Sequence, residues 1–405
     1  MRLLNVSSVD AEDRKLQLAE FVGRDIPEYA ILSHTWGDDE VLLADIANGT
    51  ARIRKAFQKV KFAADQAQHD GYDYIWIDTC CIDKSSSAEL REAINSMYAW
   101  YAEAGACYVY LIDVTRIPTD SAFEDQFWRS RWFTRGWTLQ KLLAPQLLFF
   151  SRDWSALGGR EGLVRQVSRA AGIDVRFLRK ALCVAPCSLQ DVSVAERMSW
   201  ASSRKTTMTE DLAYCLMGIF DVNMPLLYSE GSKAFFRLQE EIMKSTDDHS
   251  LFIRHSPVSD SRSWSPQYLH GLLADAPSAF KESGHMIEAL TKSTKVAPHT
   301  LTNSGVQIQV RLRALSDSIY LAILESRDHK GRSHAIYLKR DHLRKSHFVR
   351  IFVNASSLFA TMMRTAPRLC SSSKTLLDMI GRMHRTVRTT MCRFKLVPLP
   401  LRITK

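Results

Sequence analysis

The chain has 405 residues, of which 46% are hydrophobic and 24% are charged, a composition typical of a folded protein with about two or three domains. No stretch approaches the roughly eighteen apolar residues of a membrane helix, and the N-terminus lacks a secretory core, so we expect a soluble, cytoplasmic protein. The net charge of +10 is concentrated in a basic tail, residues 361–405, and the rest is close to neutral. Lacking a binding motif, this tail is interpreted as a disordered, solvated extension, and nucleic acid is not an expected partner.

The eight cysteines suggest neither a disulfide framework nor a zinc site. Cys80 and Cys81 are adjacent within a strand-like run, while Cys183 and Cys187 have no second pair and no histidine at ligand spacing. We therefore predict reduced core cysteines and no metal site.

An α/β pattern occupies residues 1–155. Apolar runs predict buried strands at residues 29–33, 74–77, 107–112 and 146–150. Amphipathic helices are predicted between them, at residues 85–103 with a Ser86/Glu89 capping box, and along a stripe formed by Ile53, Phe57, Val60, Ala64 and Ala67. The alternation predicts a doubly wound, mainly parallel sheet.

Polar side chains follow the first two predicted strands. Ser33, His34 and Trp36 end the first strand, and Asp78 follows the second. Because ligand sites of α/β folds lie at the carboxyl ends of strands, this pattern predicts such a site. Simple turns, with Trp36 as a core anchor, are the alternative interpretation.

Residues 127–145, FWRSRWFTRGWTLQKLLAP, are unusually rich in tryptophan and arginine. We predict one helical segment closed by Pro145, with Trp132 and Arg135 on one stripe and Trp137 stacked over Lys141. Such a segment is expected to face the site. A core tryptophan covered by a lysine stem is the alternative.

Longer helices are predicted afterwards, at residues 210–218 and 233–244, and then strands at 306–312 and 319–324 with a turn at 316–318. The predicted organisation is an α/β domain at 1–155, a helical domain at 156–255, a β-rich region at 256–360 and the tail. The common nucleotide-binding, zinc-protease and serine-hydrolase motifs are absent from the sequence, so the residues alone do not specify a reaction.

Three blocks resemble those of the fungal heterokaryon incompatibility (HET) domain: YAILSHTWG from Tyr29, YIWIDTCCIDKSSSAELREAINSMYAWYAEA from Tyr74, and RSRWFTRGWTLQKLLAP from Arg129. Residues 208–244 are similar to the helical segment that commonly follows that domain. The resemblance implies a flavodoxin-like fold related to TIR domains. It also implies a role in non-self recognition leading to programmed cell death, with protein partners in incompatibility signalling.

Some TIR domains hydrolyse NAD with a helix-borne glutamate, and the resemblance places Lys141 at that position, where most relatives have WTLQELLAP. No bound cofactor is implied, since NAD would be the substrate. A lysine is unfavourable beside an oxocarbenium-like state, so we expect an NAD glycohydrolase that is weak or inactive. Asp78 and Glu89 are the carboxylates that could substitute. The expected NAD contacts are Ser33, His34, Trp36, Trp132, Arg135 and Trp137.

A non-catalytic scaffold is the alternative function. Trp128, Trp132 and the neighbouring arginines would then form an assembly surface, because tryptophan and arginine are enriched at interface hot spots. Death signalling would proceed by self-association.

Overall fold

The computed structural model describes residues 1–10, 15–144, 146–179, 189–255, 269–284, 286–288, 299–303, 305–342, 346–352, 357–358 and 389–396. Contacts divide the chain into two units. Unit 1 comprises residues 1–187 and 204–226, and unit 2 comprises residues 188–203 and 227–405. The four segments expected from composition stay a prediction.

Unit 1 contains a seven-stranded sheet with the order β2-β1-β4-β3-β5-β6-β7. Its strands are β1 (Arg2–Asn5), β2 (Leu18–Glu20), β3 (Ala30–Ser33), β4 (Tyr74–Ile77), β5 (Ala106–Tyr110), β6 (Leu147–Phe150) and β7 (Ala156–Gly159). β4, β3, β5 and β6 are mutually parallel, whereas β1, β2 and β7 pair antiparallel at the edges. The predicted α/β class is confirmed, and antiparallel edges are added to the parallel sheet.

The parallel strands occur in the order second, first, third, fourth, which is the order of a flavodoxin-like sheet. Every residue of β3 and β5 is buried, as expected for strands covered on both faces. The carboxyl ends of β3 and β4 are therefore neighbours, and the residues that follow them are brought together.

The first seven helices of unit 1 vary in length from four to seventeen residues. They are α1 (Ser7–Asp10), α2 (Leu43–Asn48), α3 (Phe57–His69), α4 (Ser87–Glu103), α5 (Phe123–Arg129), α6 (Thr138–Leu142) and α7 (Val164–Ala171). The inclusion of Ile53 in the first predicted helix is wrong, because Ile53 ends a 3-10 turn and is 80% exposed. Ser86 caps α4 as predicted by accepting from the Glu89 amide, but the Glu89 side chain turns to other partners.

The prediction of one helix over residues 127–145 is wrong. α5 ends at Arg129, a 3-10 turn spans Arg131–Thr134, and α6 begins only at Thr138. Between them Arg135 is extended and forms a bridge with Lys205, while the Gly136 amide donates to the Lys205 carbonyl at 2.9 Å. Pairing with a segment 70 residues away thus overrides the helical pattern, and Trp132 and Arg135 do not share a helical stripe with α6. Pro145 lies outside the described residues.

Within the described residues four more helices follow before residue 221: α8 (Val175–Leu178), α9 (Val194–Ala201), α10 (Asp211–Tyr214) and α11 (Met217–Phe220). α9 belongs to unit 2, and the other three belong to unit 1. The helix predicted at residues 210–218 is divided between α10 and α11, with the break at Cys215 and Leu216.

α11 packs against α4 so closely that residue 218 must be glycine. A Cβ at Gly218 would lie 2.2 Å from the Tyr98 Cβ, a distance that requires backbone movement. We expect Gly218→Ala to destabilise unit 1 by at least about 1–3 kcal/mol in urea unfolding, the usual cost of overpacking. Gly162→Ala is the matched control, since the nearest atom to its Cβ would be 3.7 Å away. Equal stability of the two variants would contradict the close packing.

In its described residues, unit 2 contains α9, the helix α12 (Lys233–Ser245) and an eight-stranded antiparallel and parallel sheet in which β9 pairs with β10. The strands are β8 (Met286–Glu288), β9 (Thr300–Thr302), β10 (Gly305–Ala314), β11 (Ile319–Asp328), β12 (Ser333–Arg340), β13 (His347–Ile351), β14 (Ser357–Leu358) and β15 (Thr389–Leu396). α12 and the β10–β11 hairpin are confirmed. β15 lies within the predicted basic tail and pairs with β10 and β13.

Candidate functional site

The candidate site lies in unit 1, at the carboxyl ends of β3 and β4. Asp78 follows β4 directly, and its carboxylate is buried. His34 follows β3, and its side chain is fully buried with Nε2 3.8 Å from Asp78 Oδ1. The sheet order therefore brings together two residues that the sequence placed at a predicted ligand site.

Lys141 on α6 forms a buried ion pair with Asp78. The Nζ to Oδ2 distance is 3.2 Å, and the two side chains are 2% and 8% exposed. Burial alone would raise the pKa of Asp78, but the charges of Lys141 and Lys84 and the Lys141 hydrogen bond outweigh it and hold that pKa well below its usual range. Asp78 is thus ionised and already neutralised by Lys141.

A second ion pair adjoins the first. Lys59 Nζ lies 2.7 Å from both carboxylate oxygens of Glu40, and both side chains are nearly buried. Glu40 also accepts from the Gly37 amide at 2.7 Å, which holds the loop after β3. Burial lowers the pKa of Lys59, although the charge of Glu40 opposes the shift. One feature of the sequence indicates that Lys59 is buried. It precedes Ala63 by four residues and therefore lies on the buried face of α3.

His34 lies between these two ion pairs without a hydrogen bond of its own. Its Nε2 is 3.7 Å from Glu40 Oε2 and 3.8 Å from Asp78 Oδ1, and neither ring nitrogen has a hydrogen-bond partner. Burial lowers the pKa of His34 well below its usual range, and the charge of Lys59 lowers it further. The imidazole is therefore neutral at neutral pH, and its polar atoms are unsatisfied.

Trp36 lies at the outer side of this cluster and is 54% exposed. Its Nε1 donates to Asp78 Oδ1 at 3.1 Å, and the Lys84 ammonium lies 3.5 Å from the centre of its ring. Trp36 is therefore not the core anchor of the alternative interpretation. Burial lowers the pKa of Lys84, while Asp78 raises it.

Three of the remaining predicted residues, Ser33, Trp132 and Arg135, have structural partners. Trp132 is 1% exposed and donates to Ser33 Oγ at 3.0 Å, so both support the end of β3 from within the core. Arg135 donates to Thr207 at 2.9 Å. Trp137 is half-buried at the start of α6. These contacts do not involve Asp78 or His34.

Glu89 also has a structural explanation. It accepts from the Asp83 amide at 2.7 Å and from Arg2 at 2.8 Å. Trp132 is core, so its expected place in an assembly surface is wrong. Trp128 is half-buried, with the Arg169 guanidinium 3.2 Å from the centre of its ring, and its part in such a surface stays a prediction. Among the described residues no cluster of three potential metal ligands occurs, and Cys80, Cys81, Cys107 and Cys215 are buried free thiols.

Comparison with known proteins matches this region to one family. The family described as heterokaryon incompatibility protein (HET) matches residues 29–126, a segment that runs from β3 through α4 and β5. The chain contains a HET domain. Vegetative incompatibility protein HET-E-1 of Podospora anserina is 49% identical to it over 234 residues, which is 56% of this chain and 17% of that protein. The chain thus spans about a sixth of the length of this relative. No solved structure gives a significant match.

The family match includes His34, Trp36, Glu40, Lys59, Asp78 and Lys84 but ends before Lys141. The pair between Asp78 and Lys141 therefore joins the matched part of the HET domain to α6. None of the helices in the described ranges combines the length and apolar character required to cross a membrane.

Proposed function

We propose that this chain acts in fungal vegetative incompatibility and that its HET domain signals cell death without hydrolysing NAD. The identity of 49% to an incompatibility protein supports the biological role. Because the chain covers 17% of that relative, the proposal concerns the HET domain and its immediate surroundings.

The ion pair between Lys141 and Asp78 is the observation that argues against hydrolysis. Cleavage of the nicotinamide glycosidic bond develops positive charge on the ribose, which a carboxylate can stabilise. Asp78 is already paired with Lys141 at 3.2 Å, and Glu89 is held by Arg2 at 2.8 Å. Glu40 is paired with Lys59 at 2.7 Å. A substrate would therefore meet carboxylates that are already neutralised by Lys141, Arg2 and Lys59.

Signalling then depends on contacts with other proteins, including further copies of the chain. Those proteins would recognise the surface of the folded HET domain. Lys141 would stabilise that fold by holding α6 to the end of β4. This role requires no chemistry from the buried cluster.

The test combines growth and NAD measurements. We expect the full chain, overexpressed in a fungal host, to arrest growth while cellular NAD stays at the level of an empty-vector strain. The purified chain should release no nicotinamide above a blank. Lys141→Glu tests whether the family carboxylate restores hydrolysis, and Lys61→Glu is the control for an equal change of charge at a partly exposed lysine.

Two results would contradict the proposal. Release of nicotinamide by the wild-type chain would show that the paired carboxylates do not prevent hydrolysis. Normal growth of cells that accumulate the folded wild-type chain would argue against a death signal.

A further inference from the structure

An exposed tryptophan lies at the carboxyl edge of the sheet in unit 1. Trp36 is 54% exposed, yet its side chain is held in place. Its Nε1 donates to the Asp78 carboxylate at 3.1 Å, and the Lys84 ammonium lies 3.5 Å from the ring centre. The Arg131 guanidinium donates to the Trp36 carbonyl at 3.2 Å and so fixes its backbone. A large aromatic side chain that is exposed and already ordered loses little conformational freedom on binding, which favours an interface residue.

Hydrogen bonds connect Trp36 to exposed apolar side chains in the neighbouring loop. The Arg131 amide donates to Asp113 Oδ2 at 2.7 Å, and the residue before Asp113 is the exposed Ile112. Ile117, further along the same loop, is also exposed. The two loops follow β3 and β5, which are adjacent parallel strands. We call the area formed by Trp36, Ile112, Ile117 and Arg131 the Trp36 surface.

The Trp36 surface carries charges of both signs. The exposed Arg131 side chain donates to Thr35 Oγ1 and to the Trp36 carbonyl, and no carboxylate of the described residues pairs with its guanidinium. Asp38 is two residues after Trp36, is exposed, and has no ion-pair partner within the described ranges. An acidic partner would attract Arg131 but repel Asp38, and a basic partner would do the reverse. A second copy of the same surface offers each of them an opposite charge.

We propose that two copies of the chain associate through the Trp36 surface about a two-fold axis. The Trp36 rings would lie near the axis, and Asp38 of each copy would pair with Arg131 of the other, as in any isologous interface. This inference rests on the proposed function, in which signalling depends on contacts with other proteins, and it names the partner. Two adjacent loops offer roughly 400 Å² per copy, about half of a standard interface, so we expect a dissociation constant on the order of 10–100 micromolar.

Sedimentation velocity of the purified full chain tests the proposal over about 1–200 micromolar, a range that brackets the expected dissociation constant. We expect the weight-average sedimentation coefficient to rise with concentration. Trp36→Ala should weaken self-association by about tenfold or more, as the truncation of a central aromatic residue does. Ile53→Ala is the matched control, because Ile53 is 80% exposed and lies outside the Trp36 surface. It should leave self-association unchanged.

A pair of charge reversals tests the proposed geometry. Arg131→Asp and Asp38→Arg should each abolish self-association, because like charges would then meet at both ends of the interface. An equimolar mixture of the two variants should associate again, since each variant supplies the charge that the other lacks. Arg176→Asp, a reversal at an exposed side chain of α8, is the control and should associate as the wild type does. If Arg131→Asp does not fold, Asp38→Arg and Trp36→Ala decide, because both residues are exposed.

The same variants, scored for growth arrest in a fungal host, separate this inference from the proposed function. A wild-type chain that stays monomeric would overturn the inference, and growth arrest by that chain would leave the proposed function standing. If Trp36→Ala then abolished the arrest, the surface would bind a different protein. Association that survives Trp36→Ala, or a mixture of folded variants that stays monomeric, would also overturn the inference. Self-association that is lost in the variants, without growth arrest by the wild type, would support the surface and contradict the proposed function.

Discussion

Lys141→Met should destabilise unit 1 by about 3–5 kcal/mol, the usual cost of removing one partner from a buried ion pair. The methionine side chain fills a similar volume, but the Asp78 carboxylate is left buried without its countercharge. A domain is stable by only about 5–15 kcal/mol, so this loss is a large fraction of the total. Urea unfolding followed by tryptophan fluorescence measures it, because seven of the nine tryptophans lie in unit 1.

The double variant Lys141→Met/Asp78→Asn separates the contribution of the ion pair to the free energy of unfolding from that of the general packing. Removing both charges should recover most of the stability lost in Lys141→Met, since no uncompensated charge remains. Lys61→Met is the control, because its exposed pairs with Asp10 and Asp65 should contribute less than about 1 kcal/mol. A Lys141→Met chain that unfolds at the wild-type urea concentration would show that Asp78 is solvated and that the buried pair does not exist in solution.

The strands at the centre of the sheet could be predicted because their sequences carry a local signal. β3, β4, β5 and β6 are apolar runs between helical patterns, and these are the buried parallel strands. β1 and β2, with four and three residues, are too short for such a pattern. They are held by pairing to β4 and to each other, and the sequence did not reveal them.

The candidate site was only partly predictable for the same reason. His34 and Asp78 could be found because they end strands, but their environment depends on contacts between distant residues. Glu40 pairs with Lys59 across 19 residues, and Asp78 with Lys141 across 63. The helical pattern of residues 127–145 was misleading because Arg135 pairs with Lys205. Periodicity reports which face of an element is buried, whereas such pairs are set by the tertiary fold.

Acidification from pH 7 to 5 should lower the stability of unit 2 more steeply than that of unit 1. Burial lowers the pKa of four histidines in unit 2, that of His249 to about 4 and those of His255, His299 and His334 below their usual value. In unit 1, burial likewise lowers the pKa of His34. Below pH 6.5, the usual histidine pKa, the unfolded chain binds protons that the folded units exclude, so stability falls as pH falls toward the folded pKa. Each such histidine adds about 1.4 kcal/mol per pH unit to the slope of the free energy of unfolding against pH. Unit 2 has more of these histidines, so its stability falls more steeply with pH.

Hydrogen exchange measures both units in one experiment. Protection factors, corrected for the intrinsic exchange rate at each pH, should fall faster for peptides from β10 and β11 than for peptides from β3 to β5. His334→Leu removes one buried imidazole whose ring nitrogens have no hydrogen-bond partner, so it should reduce the slope of unit 2 by one proton. His69→Gln is the matched control, because the His69 side chain is 82% exposed. Equal slopes in the two units would mean that the buried histidines take up protons in the folded state, and the lowered pKa values would then be wrong.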